Sequence, residues 1–379
     1  MKIFDMAIIG AGPAGTAAAL KLSGYGFDIC LIERKEFPRE TICGEFFSEE
    51  AIRVLRGLNL YNDFLSLQPN RIKAVQFYND KGEIMDRKLN FDAYGISRGK
   101  FDDFLLRSAS QKGVKVFQPC EVKEIAQSGN GYTLSVKGGT DFSPIAAKKI
   151  ICAYGRQNIL DKLLKRKFYY YKSEFFAFKV HVGADILDKY ETGTIKMFAA
   201  DGIYCGLNPV SPDQASLCYL ADSNITPGTA VEQLKILWRR NRSFGEHFRE
   251  GSLDRISDFR VHGTGNIYFG KKDLMHGGIY FIGDSARMIA PLAGDGISMA
   301  LESGFMIADI LNKQSERHTN DRDTGEAYAH SWNYMFAGRL RAADWIQRAI
   351  MNKYTRNMAA KLLECFPVLL NPLINSTRG

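Results

Sequence analysis

The chain has 379 residues with 45% hydrophobic and 24% charged side chains, enough for a sizeable core and one or two domains, which excludes a disordered or low-complexity protein. A net charge of +8 and a pI near 9.0 favour phosphate-bearing cofactors, anionic substrates or an anionic membrane surface, and with no Lys/Arg block or basic stripe they argue against nucleic acid. Seven cysteines without a C-x-x-C pair exclude a disulfide framework and a zinc site, and with no signal-peptide pattern and no apolar run of ~18 residues they predict a cytoplasmic protein.

In chain order, IFDMAIIG (3–10) predicts a short buried strand, PAGTAAALKLSGYG (13–26) an Ala-rich helix closed by glycines, and FDICLIER (27–34) a second strand. Strand, Gly turn, helix and strand within about thirty residues form a βαβ unit with parallel strands. KFDDFLLRSASQKG (100–113) predicts an amphipathic helix, followed by strands at VKVFQ (114–118), YTLSVKG (132–138) and KKIICAYG (148–155). From about 166 to 261 the texture becomes β-rich. KFYYYKSEFFAFKVHV (167–182) and ASLCYLAD (215–222) predict strands, with the tyrosine run 169–171 packing in a sheet, and VEQLKILWRRNRSFGEHFRE (231–250) predicts a helix. GGIYFIGDSA (277–286) returns to a Gly-flanked strand, DGISMALESGFMIADIL (295–311) predicts a helix, the polar stretch 312–326 a loop, and 327–379 helices.

The turn GAGPAG, made of Gly10, Ala11, Gly12, Pro13, Ala14 and Gly15, carries the G-x-G-x-x-G spacing. Its first glycine allows the tight turn, the second lets a pyrophosphate reach the backbone, and the third lets helix pack on strand. The helix start adds free N–H donors and a partial positive charge. Glu33, eighteen residues after Gly15 and just before Arg34, stands where a carboxylate accepts from ribose hydroxyls. Together these predict a dinucleotide site.

GGIYFIGDSARMIAPLAGDGISMALESG (277–304) resembles the second flavin-binding fingerprint of the flavoprotein hydroxylases, geranylgeranyl reductases and flavin-dependent halogenases. That resemblance implies FAD. Asp284, after Gly283, would bind a ribityl hydroxyl beside the pyrophosphate. Pro291, Gly294, Asp295, Gly296 and Ile297 would run beside the isoalloxazine ring. ISRGKFDDFLLRSASQKGVKV (96–116) resembles the same superfamily's Arg-x-x-(Phe/Leu)-Asp helix, so that Arg98 touches the cofactor and Asp102 starts the helix. Val122 would meet the adenine through its backbone.

ICAYGRQ (151–157), with Ala153 and Gly155, occupies the place of the hydroxylases' Ala-Asp-Gly motif, but its Asp is Tyr154. The resemblance therefore leaves the electron source open between NAD(P)H, docked differently, and a partner flavin reductase. FPRETICGEFFSEEAI (37–52) resembles the reductases' Pro-Arg-x-x-x-Cys-Gly loop, which implies that Cys43 and Gly44 lie at the isoalloxazine edge. Cys43 is then a group that assists chemistry at the flavin, a small packing residue in the active-site wall, or a redox sensor. The reductases' Tyr-x-Trp-x-Phe-Pro motif survives in YCGLNP (204–209) only as Tyr204 and Pro209, with Gly206 and Asn208 replacing the aromatics. The Trp-x-Trp-x-Ile-Pro motif of tryptophan halogenases is absent. Lys73 as a halogenase lysine, and His181, His262 and His276 as acid–base groups, are weak candidates, since no carboxylate stands at a telling spacing. The tail carries seven Lys/Arg against two Asp/Glu over 336–379, which suits either a domain cap or a peripheral membrane contact.

The expectation is an α/β (α+β overall) flavoprotein. A Rossmann-type FAD-binding domain is assembled from 1–74, 97–165 and 262–315, a β-sheet substrate domain from 75–96 and 166–261, and a C-terminal helical cap from 316–379. The resemblance implies an FAD-dependent oxidoreductase of an aromatic, polyketide or lipid-like small molecule, foremost a monooxygenase working through a flavin C4a-hydroperoxide. The alternatives are a reductase of C=C bonds, a halogenase, and a non-catalytic flavin-binding docking protein. No metal is expected, and the oligomeric state is open.

Overall fold

The computed structural model describes residues 2–138, 143–252, 254–317 and 320–365. Its elements, in chain order, begin with β1 (Ile3–Ile9), α1 (Pro13–Gly24) and β2 (Ile29–Ile32). Next come β3 (Phe46–Phe47), α2 (Glu49–Gly57), α3 (Tyr61–Ser66), and the long hairpin of β4 (Asn70–Asn79) and β5 (Gly82–Gly95). Then follow α4 (Arg98–Gln111), β6 (Lys115–Phe117), β7 (Glu121–Ser128), β8 (Gly131–Lys137), β9 (Ile145–Cys152) and α5 (Ile159–Leu163). The middle of the chain supplies β10 (Phe175–Gly183), β11 (Thr194–Ala200), β12 (Ile203–Ser211), β13 (Gln214–Asp222), α6 (Ala230–Arg240), α7 (Arg242–Glu246) and β14 (Val261–Thr264). The last elements are β15 (Met275–His276), β16 (Ile279–Phe281), α8 (Gly296–Arg317), α9 (Asp321–Met351) and α10 (Lys353–Cys365).

Two sheets organise these elements. The first is parallel in the order β16-β9-β1-β2-β6, with β15 antiparallel at one edge and the β7–β8 hairpin joined antiparallel to the first half of β9. Its central strands are buried on both faces, which is why β2 reads as an unbroken apolar run. Helices α1 and α8 cross at small residues. A side chain on Gly304 of α8 would fall 2.2 Å from the Ala14 carbonyl oxygen, and one on Gly283 would fall 2.9 Å from the Ala14 methyl. This close approach brings the two glycine turns of the sequence, about 270 residues apart, to one end of the same sheet.

The second sheet runs β14-β10-β13-β12-β11-β4-β5-β3, antiparallel except for the β11–β4 pair. One face packs under α6 and α7 on Tyr78, Phe178, Phe198, Leu234, Leu237 and Phe244. The other carries Phe77, Ala177, Tyr204 and Leu220 toward Met351 of α9.

Several local expectations give way. The tyrosine run is not sheet packing: residues Lys167–Tyr170 form a 3₁₀ turn, and Tyr171 stacks on Tyr268 with centroids 5.5 Å apart while staying exposed. The 231–250 helix breaks at Asn241, whose side chain accepts from Phe244 N–H and donates to the carbonyls of Tyr78 and Ala199. The loop expected at 312–326 is mostly helix. Its Lys, Gln, Glu and Arg residues are good helix formers on a solvated face, and Asn320 caps α9 by accepting from Asp323 N–H at 2.9 Å. Asp102 does not start its helix. Ser97 caps α4, and Asp102 lies buried in the second turn.

Candidate active site

One continuous cavity of about 910 Å³ begins at the first glycine turn and opens into the space between the second sheet and α9. At its polar end Gly10 has φ +107°, and a Cβ there would meet the Ala153 carbonyl oxygen at 2.5 Å. Gly15 is tighter still, at 2.0 Å from the Gly10 carbonyl oxygen. Gly12 is the open one, with only Arg98 within 4 Å, at 3.9 Å. Helix α1 starts there with no side-chain cap and no acidic residue in its first turn, so its N–H groups and dipole face the cavity. Glu33 lines the same wall, accepting from the Ala11 and Lys35 amides at 3.0 Å each.

Arg98 holds Asp102 through two hydrogen bonds of 2.7 Å, and Asp102 also lies 3.5 Å from Arg39, which reaches Glu33. The buried Asp102 thus orients two cavity-lining arginines and ties α4 to Glu33 at the end of β2. Burial pushes the Asp284 carboxyl up against the pull of Lys272, Arg98 and Arg156. Arg34, Val122, Ala153, Gly155, Gly283, Asp284, Pro291, Gly294, Gly296 and Ile297 all line the cavity, as do Pro13 and Ala14. Ala11 and Gly15 do not. They shape the turn from behind, Ala11 by donating to Glu33. Asp295 does not either: it is buried on Arg339 of α9, which also bonds Glu302 at 2.7 Å, so it anchors the Pro-Gly loop rather than reaching a ligand.

These features fit a flavin dinucleotide. The turn leaves backbone donors bare at Gly12, four arginines (Arg34, Arg39, Arg98 and Arg156) flank the channel, the Glu33 carboxylate lines the wall beside the turn, and glycines without neighbours (Gly44 and Gly155) keep the walls thin.

At the junction of channel and chamber lies the Cys43–Gly44 loop. Asn208 Nδ2 donates to the Gly44 carbonyl at 2.8 Å, and Ser216 Oγ to the Cys43 carbonyl at 3.4 Å. The position where the reductases' motif has an aromatic therefore anchors the loop here. The Cys43 thiol lines the cavity. Burial pushes it up, only partly opposed by Arg98 and the Glu45 amide, so it is protonated at neutral pH. Behind it Glu45, a non-glycine residue at φ +60°, is fully buried and accepts from Arg98 N–H at 2.6 Å, Lys179 Nζ at 2.5 Å and His181 Nε2 at 2.6 Å. Lys179 also reaches Glu40 at 2.6 Å. Burial works against the Glu45 charge, but His181 and Lys179 outweigh it and hold the carboxyl below its usual range. The sequence reading missed this cluster. Its signal was the alternation in FKVHV, which puts Lys179 and His181 on one face of a buried strand. His262, opposite Lys179 across the β10–β14 pair, lines the cavity with its pKa pushed down by burial; His276 is exposed and Lys73 is an exposed strand residue packed over Gly193.

Tyr154 takes its own place. Its hydroxyl donates to Asp161 at 2.5 Å, and the buried Arg166 joins Asp161 at 2.8 Å to the carbonyls of Asp273 and Ser285 at 2.7 and 3.0 Å. Where the hydroxylases carry an Asp, this chain builds an internal strut between β9 and the second glycine turn.

The chamber beyond is walled mostly by apolar side chains, Phe77, Met85, Leu89, Met197, Ile267 and Leu292, with Ile346 and Ile350 of α9 on the far side; Arg87, between Met85 and Leu89 on β5, and Arg356 also line the cavity. Among the described residues the only lysine on the cavity wall is Lys35, beside Glu33 at the dinucleotide end. No helix of the described residues is long and apolar enough to cross a membrane.

The family model described as "FAD binding domain" matches residues 4–330. The chain is 24% identical over 368 residues to a 1H-pyrrole-2-carbonyl-[peptidyl-carrier protein] brominase of Pseudoalteromonas luteoviolacea, covering 91% of this chain and 85% of that one. It is 23% identical over 385 residues to a digeranylgeranylglycerophospholipid reductase of Thermoplasma acidophilum, covering 96% and 91%. The solved structure of the flavin-dependent brominase Bmp2 superposes with a TM-score of 0.77 at 20% identity, covering 99% and 93%.

Proposed function

Because the chain belongs to the FAD binding domain family and is an FAD-dependent oxidoreductase by that membership, we propose that it oxidises an apolar organic small molecule, as a monooxygenase. FAD, when bound, supplies two-electron chemistry and reactivity toward O₂. Gly10, Gly12 and the start of α1 would take its pyrophosphate, Glu33 a ribose, Arg98 and Asp284 the middle of the molecule. Pro291, Gly294, Gly296 and Ile297 would lie along the ring.

The observation that carries the reading is the chamber. It continues the dinucleotide channel and is mostly apolar, with Arg87 and Arg356 as its charged wall residues, so its side chains would limit water and hold a greasy or aromatic molecule at the loop. Hydroxylation asks for that and little else from side chains. Halogenation, in the superfamily this chain resembles, needs a lysine between flavin and substrate. Here Lys73 points elsewhere, and Lys179, behind the loop, is held by two carboxylates. A second reading, reduction of a C=C bond, is favoured by one observation: the Cys43 side chain lines the cavity where channel and chamber meet, where its thiol would be a candidate proton donor to a substrate carbon.

Tyr154 is spent on Asp161 and does not serve as a docking group, so electrons come from NAD(P)H bound elsewhere or from a separate flavin reductase. The test is turnover of phenolic and lipid-tailed candidates with ¹⁸O₂ and either donor. Incorporation of one ¹⁸O atom into product supports hydroxylation. Turnover that proceeds anaerobically, with product gaining two hydrogens, establishes the reductase instead.

A further inference from the structure

The C-terminal helices present a face whose composition the catalytic site does not explain. Tyr334, Gly338, Arg341, Trp345 and Arg348 recur at i, i+4, i+7, i+11 and i+14 of α9, which is one stripe of a 3.6-residue helix, and all are exposed. Tyr334 is 89% and Trp345 65% exposed; α10 adds Lys353 with Tyr354 and Met358, the latter two 83% and 68% exposed and one turn apart. Single exposed apolar residues are ordinary. Four large ones on consecutive helices, interleaved with basic residues, are a patterned surface. The charge pattern is one-sided. Between residues 327 and 359 the only acidic side chain is Asp344, which is tied to Arg287 at 3.1 Å.

Position adds the second argument. Trp345, Ile346, Ala349 and Ile350 also line the cavity, so the stripe borders the apolar chamber on its α9 side. Aromatic rings with a polar edge, basic side chains that extend past them, and an apolar tunnel behind match the interface of an anionic bilayer.

We propose that the α9–α10 surface seats on an anionic lipid surface, with Trp345, Tyr354 and Met358 in the headgroup region and Arg341, Arg348 and Lys353 on the lipid phosphates, and that an apolar substrate passes from the lipid into the chamber beside Trp345. Seating on lipid depends on the position of the stripe and the chamber alone, and would serve hydroxylation and reduction alike.

The test is flotation of the FAD-loaded full chain with vesicles of phosphatidylcholine alone and of phosphatidylcholine mixed with phosphatidylglycerol, at low and high salt. Trp332 is buried and Trp238 half-buried in a core cluster, so Trp345 dominates any change in tryptophan emission. The expected result is salt-sensitive binding to the anionic vesicles with a blue shift that Trp345→Phe removes. Arg341→Gln with Arg348→Gln lowers partitioning roughly 25-fold, about fivefold per charge, while FAD binding is retained as the folding control. Binding to neither vesicle, equal binding to both, or sedimentation showing a dimer that shields Trp345 would overturn the proposal.

Discussion

Lys179→Met tests the buried cluster behind the loop. In the wild type the ammonium is fully buried between Glu40 at 2.6 Å and Glu45 at 2.5 Å. The substitution keeps an apolar stem of similar reach and leaves Glu45 charged with only His181 and the Arg98 amide. Breaking a buried ion pair by removing one partner costs about 3–5 kcal/mol. With an unfolding entropy near 0.8 kcal/mol/K for a chain this long, the melting temperature should fall about 4–6 °C. The pH dependence has a definite sign. The Glu45 pKa is depressed, so its contribution is present above the unfolded value of 4.5 and disappears as pH falls through the lower folded value. Lys179 is raised by Glu45 and Glu40 despite burial, so its contribution is present below 10.5 and disappears as pH rises through the folded value. The difference between wild type and variant is therefore flat from about pH 5 to pH 10 and shrinks outside that window. Circular-dichroism melts of FAD-loaded protein measure it, and the Lys179→Met, Glu45→Gln double variant should cost at least ~1 kcal/mol less than the sum of the singles. A loss under ~1 kcal/mol for Lys179→Met, or strictly additive singles, would refute the coupling.

Gly12→Ala should fold, since only Arg98 lies near the new methyl at 3.9 Å, yet it should weaken FAD affinity by at least tenfold because the methyl stands where a phosphate approaches; fluorescence titration measures it, and unchanged affinity would remove the turn from the cofactor site. Lys272, which donates to the Asp284 and Arg156 carbonyls, has its pKa pushed down to about 8 by burial. Its charge costs the free protein stability below about pH 8 and nothing above 10.5, and phosphates at Asp284 would favour the ammonium. FAD affinity should thus fall above about pH 8, by no more than tenfold per pH unit, and become flat in Lys272→Met. Cys43→Ala should keep flavin affinity and lower turnover, and iodoacetamide should alkylate Cys43 more slowly than an exposed thiol at pH 8; equal turnover would make Cys43 a packing residue.

The parts legible in the sequence are those whose geometry is local. A glycine that must take φ +107°, a helix that must start bare, and a carboxylate at the end of the next strand lie within some two dozen residues, and short-range sterics dictate their spacing. The second glycine turn is legible through its resemblance to a flavin-binding fingerprint, and the β-rich middle announces a sheet through its composition. Asp295 was misplaced because the motif says where the loop lies and not which way a side chain turns; Arg339, 44 residues away, turned it inward. Glu45, Lys179 and His181 went unread because their pairing spans 134 and 136 residues, and only the docking of the Cys-Gly loop onto β10 makes a lone strand lysine into a buried ion pair. The chamber belongs to the same class. Its wall takes side chains from β4, β5, β11 and α9, and no segment shows an apolar tunnel until the second sheet and the C-terminal helix close on each other. The sequence by itself determined the first glycine turn and the bare helix start behind it, because that turn is backbone geometry over a few residues. Tertiary structure alone decided the charge network at the loop and the shape and mouth of the chamber, because those depend on which distant faces meet.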